Sequence, residues 1–141
     1  MRNGGIKTLA WLQMATGVGI VLFWIGFFTV GLAPENPPPG YFAFEHAFPL
    51  PDAFLAAALI LAGALLIQGR PAGRVLGLAA AGGLVFLGLV DFSFNLENGM
   101  YTLSAADLAL NGFINLWCVG LGLVSIRRLG LAERESGKKA S

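Results

Sequence analysis

No charged residue lies between Lys7 and Glu35, and the stretch between them is apolar almost throughout. Such a run is too long for an ordinary core helix of a water-soluble domain. At 1.5 Å per residue, a helix over 8–32 measures ~37 Å, enough to cross a ~30 Å hydrocarbon core with some tilt. Gly31-Leu32-Ala33 has the small-x-small form of a signal-peptidase site. The apolar run before it is too long for a signal peptide, however, and Pro34 would follow the cut, so the run reads as a span. Three more runs follow. The second covers 50–68 and is opened by Pro51, a favourable first-turn residue. The third covers 72–95, after the short turn Gly69-Arg70-Pro71. The fourth covers 105–126, where Ser104 stands as an N-cap with Asp107 three residues on.

Of the 141 residues, 56% are hydrophobic and 12% charged. That is about half the ~25% charge of a soluble domain, too little to coat a water-facing surface. The charges are also segregated. With four spans, all nine basic residues (Arg2, Lys7, Arg70, Arg74, Arg127, Arg128, Arg134, Lys138 and Lys139) fall on one side of the membrane. Glu35, Glu45, Asp52, Asp91, Glu97 and Asp107 fall on the other. The positive-inside rule makes the basic side cytoplasmic. The expected architecture is therefore all-α: an integral membrane four-helix bundle over 1–128, with both termini cytoplasmic and a disordered tail over 129–141. The Ala/Gly/Leu/Arg-rich usage is that of GC-rich bacterial DNA, so the expected membrane is the bacterial cytoplasmic (inner) membrane.

Several function classes are excluded. Cys118 is the sole cysteine, so there is no internal disulfide and no CxxC redox motif. His46 is the sole histidine, which rules out bis-histidine haem ligation and multi-histidine metal sites within one chain. No glycine-rich phosphate loop and no basic, aromatic-laced patch is present, so no nucleotide cofactor and no nucleic acid is expected.

The connection over 33–50 holds Pro37, Pro38 and Pro39, which favour a stiff extended path. Tyr41, Phe42, Phe44 and Phe48 then suit the interfacial aromatic belt, so the segment is expected to lie on the membrane surface. Small residues recur at intervals of four: Gly73, Gly77 and Ala81; Ala58 and Ala62; Ala15 and Gly19. Such ladders let helix backbones approach closely, within one bundle or between copies.

One polar constellation stands out. Asp107, Asn111 and Asn115 recur every four residues and share a face of the fourth span. Asp91 and Asn95 do the same at the end of the third, while Glu45, His46 and Asp52 lead into the second. The topology brings all of these to the acidic end. Polar groups at membrane depth face the bundle interior or water. Asn111 and Asn115 are therefore expected either to hydrogen-bond Gln13, Thr16 or Thr29 of the first span, or to line a ligand site. Glu45, His46 and Asp91 are the candidate catalytic groups, since a histidine and a carboxylate suit acid–base work. Glu45, His46, Asp52 and Asp91 have the charge for a divalent ion, but their spacing matches no ligand signature and no metal is assigned.

The stretch PPPGYFAFEHAFPLPDAFLAAALILAGALLIQG resembles the second span of the EXPERA group, four-helix membrane proteins that include sterol isomerases and the sigma-2 receptor. There too an aromatic-rich linker leads into a span with an early glutamate, here Glu45, with Asp91 as a positional analogue. The resemblance covers about a quarter of the chain and implies a lipophilic or cationic amphiphile in an acidic intramembrane pocket. Small multidrug transporters fit less well, because they rely on a glutamate in the first span and this first span is uncharged. Three functions are thus expected: a subunit or accessory of a larger membrane assembly, a binder of or enzyme on a lipid-like or cationic amphiphile, and a small transporter with Asp91 as the proton or cation carrier. The partners expected are the lipid bilayer and either other membrane subunits or a second copy of the chain.

Overall fold

The computed structural model describes residues 2–140, with side chains placed over 4–130. The described residues form helices and turns, with no strand. Helix α1 is Arg2–Thr29, the short α2 is Tyr41–Glu45, and α3 is Pro49–Ile67. Helix α4 is Pro71–Glu97, a 3-10 turn covers Met100–Thr102, and α5 is Ala105–Ala140. Four of these are long and apolar enough to cross a membrane: Gly4–Thr29, Pro49–Ile67, Pro71–Glu97 and Ala105–Gly130.

The boundaries follow local chemistry. Helix α1 stops at Thr29, short of the expected 32, because Gly31 adopts φ +80 and returns its N–H to the Gly26 carbonyl. Prolines open α3 and α4 in their first turns, where a missing N–H costs nothing. Ser104 Oγ accepts the Asp107 N–H at 3.0 Å and so caps α5. The disordered tail expected over 129–141 falls almost wholly on residues whose side chains lie outside the described ones. Leu129 is fully buried, and the α5 backbone stays helical to Ala140 through the helix-forming Leu131, Ala132, Glu133 and Arg134. The side chains beyond Gly130 lie outside the described residues.

The helices are inside out by the standard of a soluble protein. Phe54, Val75 and Phe86 are more than two-thirds exposed, and Leu116 is 78% exposed. Large apolar side chains at that exposure suit a lipid surround. Hydroxyls are satisfied locally, with Thr8, Thr16, Thr29 and Ser93 each donating to the carbonyl four residues back.

Consecutive long helices pack together, α1 on α3, α3 on α4 and α4 on α5, whereas α1 and α5 scarcely touch. Small residues make the three tight seams. A Cβ at Gly17 would stand 2.7 Å from the Ala56 carbonyl oxygen of α3. At Gly73 it would stand 2.6 Å from the Leu66 nitrogen, and at Gly122 2.8 Å from the Ala81 oxygen. Gly73, Gly77 and Ala81 are all buried as a packing ladder requires. Ala15 and Gly19 are not: both are exposed, and nothing lies within 4 Å of a Cβ at Gly19.

A buried apolar cluster runs from Leu9 and Leu129 at the basic end to Leu59 and Leu84 at mid-bundle. Beside them the buried Gln13 donates through Nε2 to the Gly77 carbonyl (3.4 Å) and to Ser125 Oγ (3.3 Å), joining α1, α4 and α5. The acidic end holds a second cluster of Trp24, Phe27, Tyr41 and Met100.

Gly122→Ala is expected to destabilise the protein by ~1–3 kcal/mol, the cost of overpacking a tight contact. Gly82→Ala, where a Cβ meets nothing within 4 Å, should be neutral or stabilising by up to ~1 kcal/mol. Unfolding in neutral detergent measures both, and equal effects would contradict these seams.

Candidate functional site

Where α1 and α5 diverge, a cavity of about 420 Å³ opens between them toward the acidic end. Its walls are mostly apolar, including Ile20, Phe23, Leu87, Leu110 and Ile114. Into this wall project Glu45, Asp52, Asp91, Asp107, Asn111 and Tyr41, with no lysine or arginine among the lining residues. The exposed Ala15, Gly19, Leu110 and Phe113 lie along the α1–α5 seam, so the mouth faces sideways. A separate apolar groove on the far side of Trp24, lined by Val21, Ile25, Phe28 and Pro49, has almost no polar surface.

Each acid is positioned differently. Asp52 sits in the first turn of α3, is 7% exposed, and accepts the Trp24 indole N–H at 2.8 Å. Asp107 is held by the α5 cap, where Ser104 Oγ donates to its Oδ2 at 2.6 Å. Asn111 donates to the Asp107 carbonyl at 3.0 Å and thus stays on its own helix. Asp91 reaches the cavity from α4. Glu45 comes from α2, the turn that folds over the acidic end. Phe44 of that turn stacks on Phe94 of α4 with ring centroids 3.8 Å apart. Tyr41 is buried against Trp24 and Phe27 of α1, whereas Phe42 remains exposed.

Three of the expected site residues are elsewhere. His46 follows Glu45 but points away, as neighbours ~100° apart on a helix must. It is exposed, with its ring near Phe27, Phe28 and Phe42. Asn115 is buried and donates to the Tyr101 hydroxyl at 2.6 Å. Asn95 is fully buried outside the cavity wall, and its amide nitrogen has no partner in hydrogen-bond geometry. Neither Asn111 nor Asn115 bonds to the first span. Thr16 instead accepts the Trp117 indole N–H at 3.0 Å, and Thr29 bonds within α1. Residue spacing in the sequence does not mark Trp24 or Trp117. What points to them is an indole donor on an apolar helix, which in lipid must find an acceptor.

Among the described residues, no three His, Cys, Asp or Glu side chains lie close enough to hold a metal ion. The chain matches no protein-family model, no curated protein and no solved structure.

Glu45 lies in this apolar wall without a basic partner among the lining residues. Burial raises the Glu45 carboxyl from 4.5 to about 7, and the charges of Asp91 and Asp52 add to the effect. Burial, with Glu45 next, pushes the Tyr41 phenol well above its ordinary range. A cation entering the cavity would reverse this pressure. Since folding raises the Glu45 value, its contribution to stability is fully present below 4.5 and is lost as pH rises through about 7. The melting temperature in neutral detergent should therefore fall from about pH 5 to 8, and Glu45→Gln should flatten the slope. An unchanged slope in the variant would contradict the assignment.

Proposed function

We propose that this chain is a four-span protein of the bacterial inner membrane, with both termini cytoplasmic, that binds a cationic amphiphile in its outward half. The observation that carries this reading is the cavity itself: four carboxylates in an apolar wall, with no basic residue lining it. An ammonium group would neutralise acids that otherwise repel one another, while an alkyl tail would occupy the apolar seam. Asp52 is the most buried of the four. It receives one neutral donor from Trp24, which stabilises a carboxylate less than a cation does. The segregation of every lysine and arginine to the other end supports the orientation.

The accessory-subunit reading draws on the abundant close-packing residues. Gly17, Gly63, Gly73, Gly88 and Gly122 are already engaged by neighbouring helices of the same chain. A conduit would need a path through the basic end, where Leu9, Gln13, Ser125 and Leu129 are buried together. Both considerations favour a blind binding pocket.

The full chain in lipid nanodiscs, titrated with dodecyltrimethylammonium, should bind it above the background of empty nanodiscs. Dodecyl sulfate should bind at least about tenfold more weakly. Asp52→Asn and Asp91→Asn should each weaken the cation by about tenfold or more. Gly19→Leu should fill the seam and suppress binding without lowering the melting temperature, because nothing lies within 4 Å of that Cβ position. Equal affinity for both surfactants, or unchanged binding by Gly19→Leu, would overturn the reading.

A further inference from the structure

The cavity has a floor as well as a mouth, and the floor is a specific hydrogen bond. On α1 the lining runs from Trp24 down to Ala15, and on α5 from Asp107 down to Cys118. These stretches descend together from the acidic end, a depth of ~13–16 Å at 1.5 Å per residue. At the bottom the Trp117 indole N–H crosses the seam to Thr16 Oγ1 at 3.0 Å. The Thr16 hydroxyl has its own proton fixed on the Leu12 carbonyl at 2.8 Å, so it is committed as an acceptor. Phe113 stacks on the Trp117 ring at 5.8 Å and steadies it. Further toward the basic end, Gln13 and Ser125 join the same two helices and are both fully buried.

We infer that Trp117 is a specificity-determining residue that limits tail length: the ligand is a single-tailed amphiphile whose tail must end at the indole. This rests on the proposed binding of a cationic amphiphile. The acids fix the head at one end and the indole bars the other, so the distance between them sets the tail that fits. A longer tail must bend or displace the ring, a loss of about tenfold if it costs what overpacking costs in a protein core. Ala15, exposed and level with the floor, contributes by being small.

The test uses the full chain in nanodiscs of neutral lipid and alkyltrimethylammonium ions from octyl to hexadecyl, each corrected for uptake by empty nanodiscs. Wild type should show an optimum at intermediate length. Trp117→Ala should shift the hexadecyl-to-dodecyl affinity ratio about tenfold toward the longer tail. Ala15→Leu, which raises the floor without touching the Thr16 bond, should shift the optimum toward shorter tails. This variant keeps the test decisive if Trp117→Ala fails to fold. Binding with an unchanged length profile in the folded variants would overturn the tail-length role and leave the proposed function standing. Absence of binding by wild type at every length would overturn the proposed function and this inference with it.

Discussion

Three of the four possible seams between neighbouring long helices are closed by backbone contact, and the fourth is not. Gly17 lets α1 meet α3, Gly73 lets α4 meet α3, and Gly122 lets α5 meet α4. In lipid there is no hydrophobic drive to bring helices together, so association depends on how closely their backbones approach. The α1–α5 seam has no such contact toward the acidic end; the small residues there, Ala15 and Gly19, face open space. The cavity is the direct result. The same residue types that make the fold tight elsewhere make it hollow here, because α5 stands too far from α1 to use them.

The second constraint is electrical. Buried charge in a membrane protein ordinarily has a partner. The cavity wall collects Glu45, Asp52, Asp91 and Asp107 with no lysine or arginine among them. The donors that bond to them are neutral, among them the Trp24 indole at Asp52 and the Ser104 hydroxyl at Asp107. Such donors fix the orientation of a carboxylate without cancelling its charge. The site is thus pre-organised and under-compensated, the condition in which an incoming cation gains most.

Much of this was legible in the sequence, and the division between what was and was not has a physical cause. The four apolar helices follow from run length, and the gathering of acids at one end follows from chain direction. Which acids and amides share a cavity depends on helix phase. A step of four residues rotates a side chain about 40° around the helix, so a row of such steps drifts off its starting face. Asp107 and Asn111 remain on the cavity wall, whereas Asn115, a second step on, reaches the packed interface and the Tyr101 hydroxyl. Asp91 and Asn95 divide in the same way. The packing of the aromatic linker was hidden for a different reason. Tyr41 and Phe44 carry the residue types of an interfacial belt, but Phe94 and the Trp24 cluster offer them closer apolar partners. Spacing along one strand of sequence cannot show that α1 and α5 diverge, so the open seam and its indole floor became visible only in three dimensions.

The sideways mouth has a consequence for how the proposed ligand would reach the cavity. A pocket that opened to water would fill according to the aqueous concentration of its ligand. One that opens along a helix seam fills from the bilayer, where an amphiphile accumulates far above its level in solution. Occupancy by the proposed ligand would then follow its mole fraction among neighbouring lipids, and a modest intrinsic preference would suffice for a filled site. In that setting a protein with the proposed binding role would respond to membrane composition rather than to the aqueous phase.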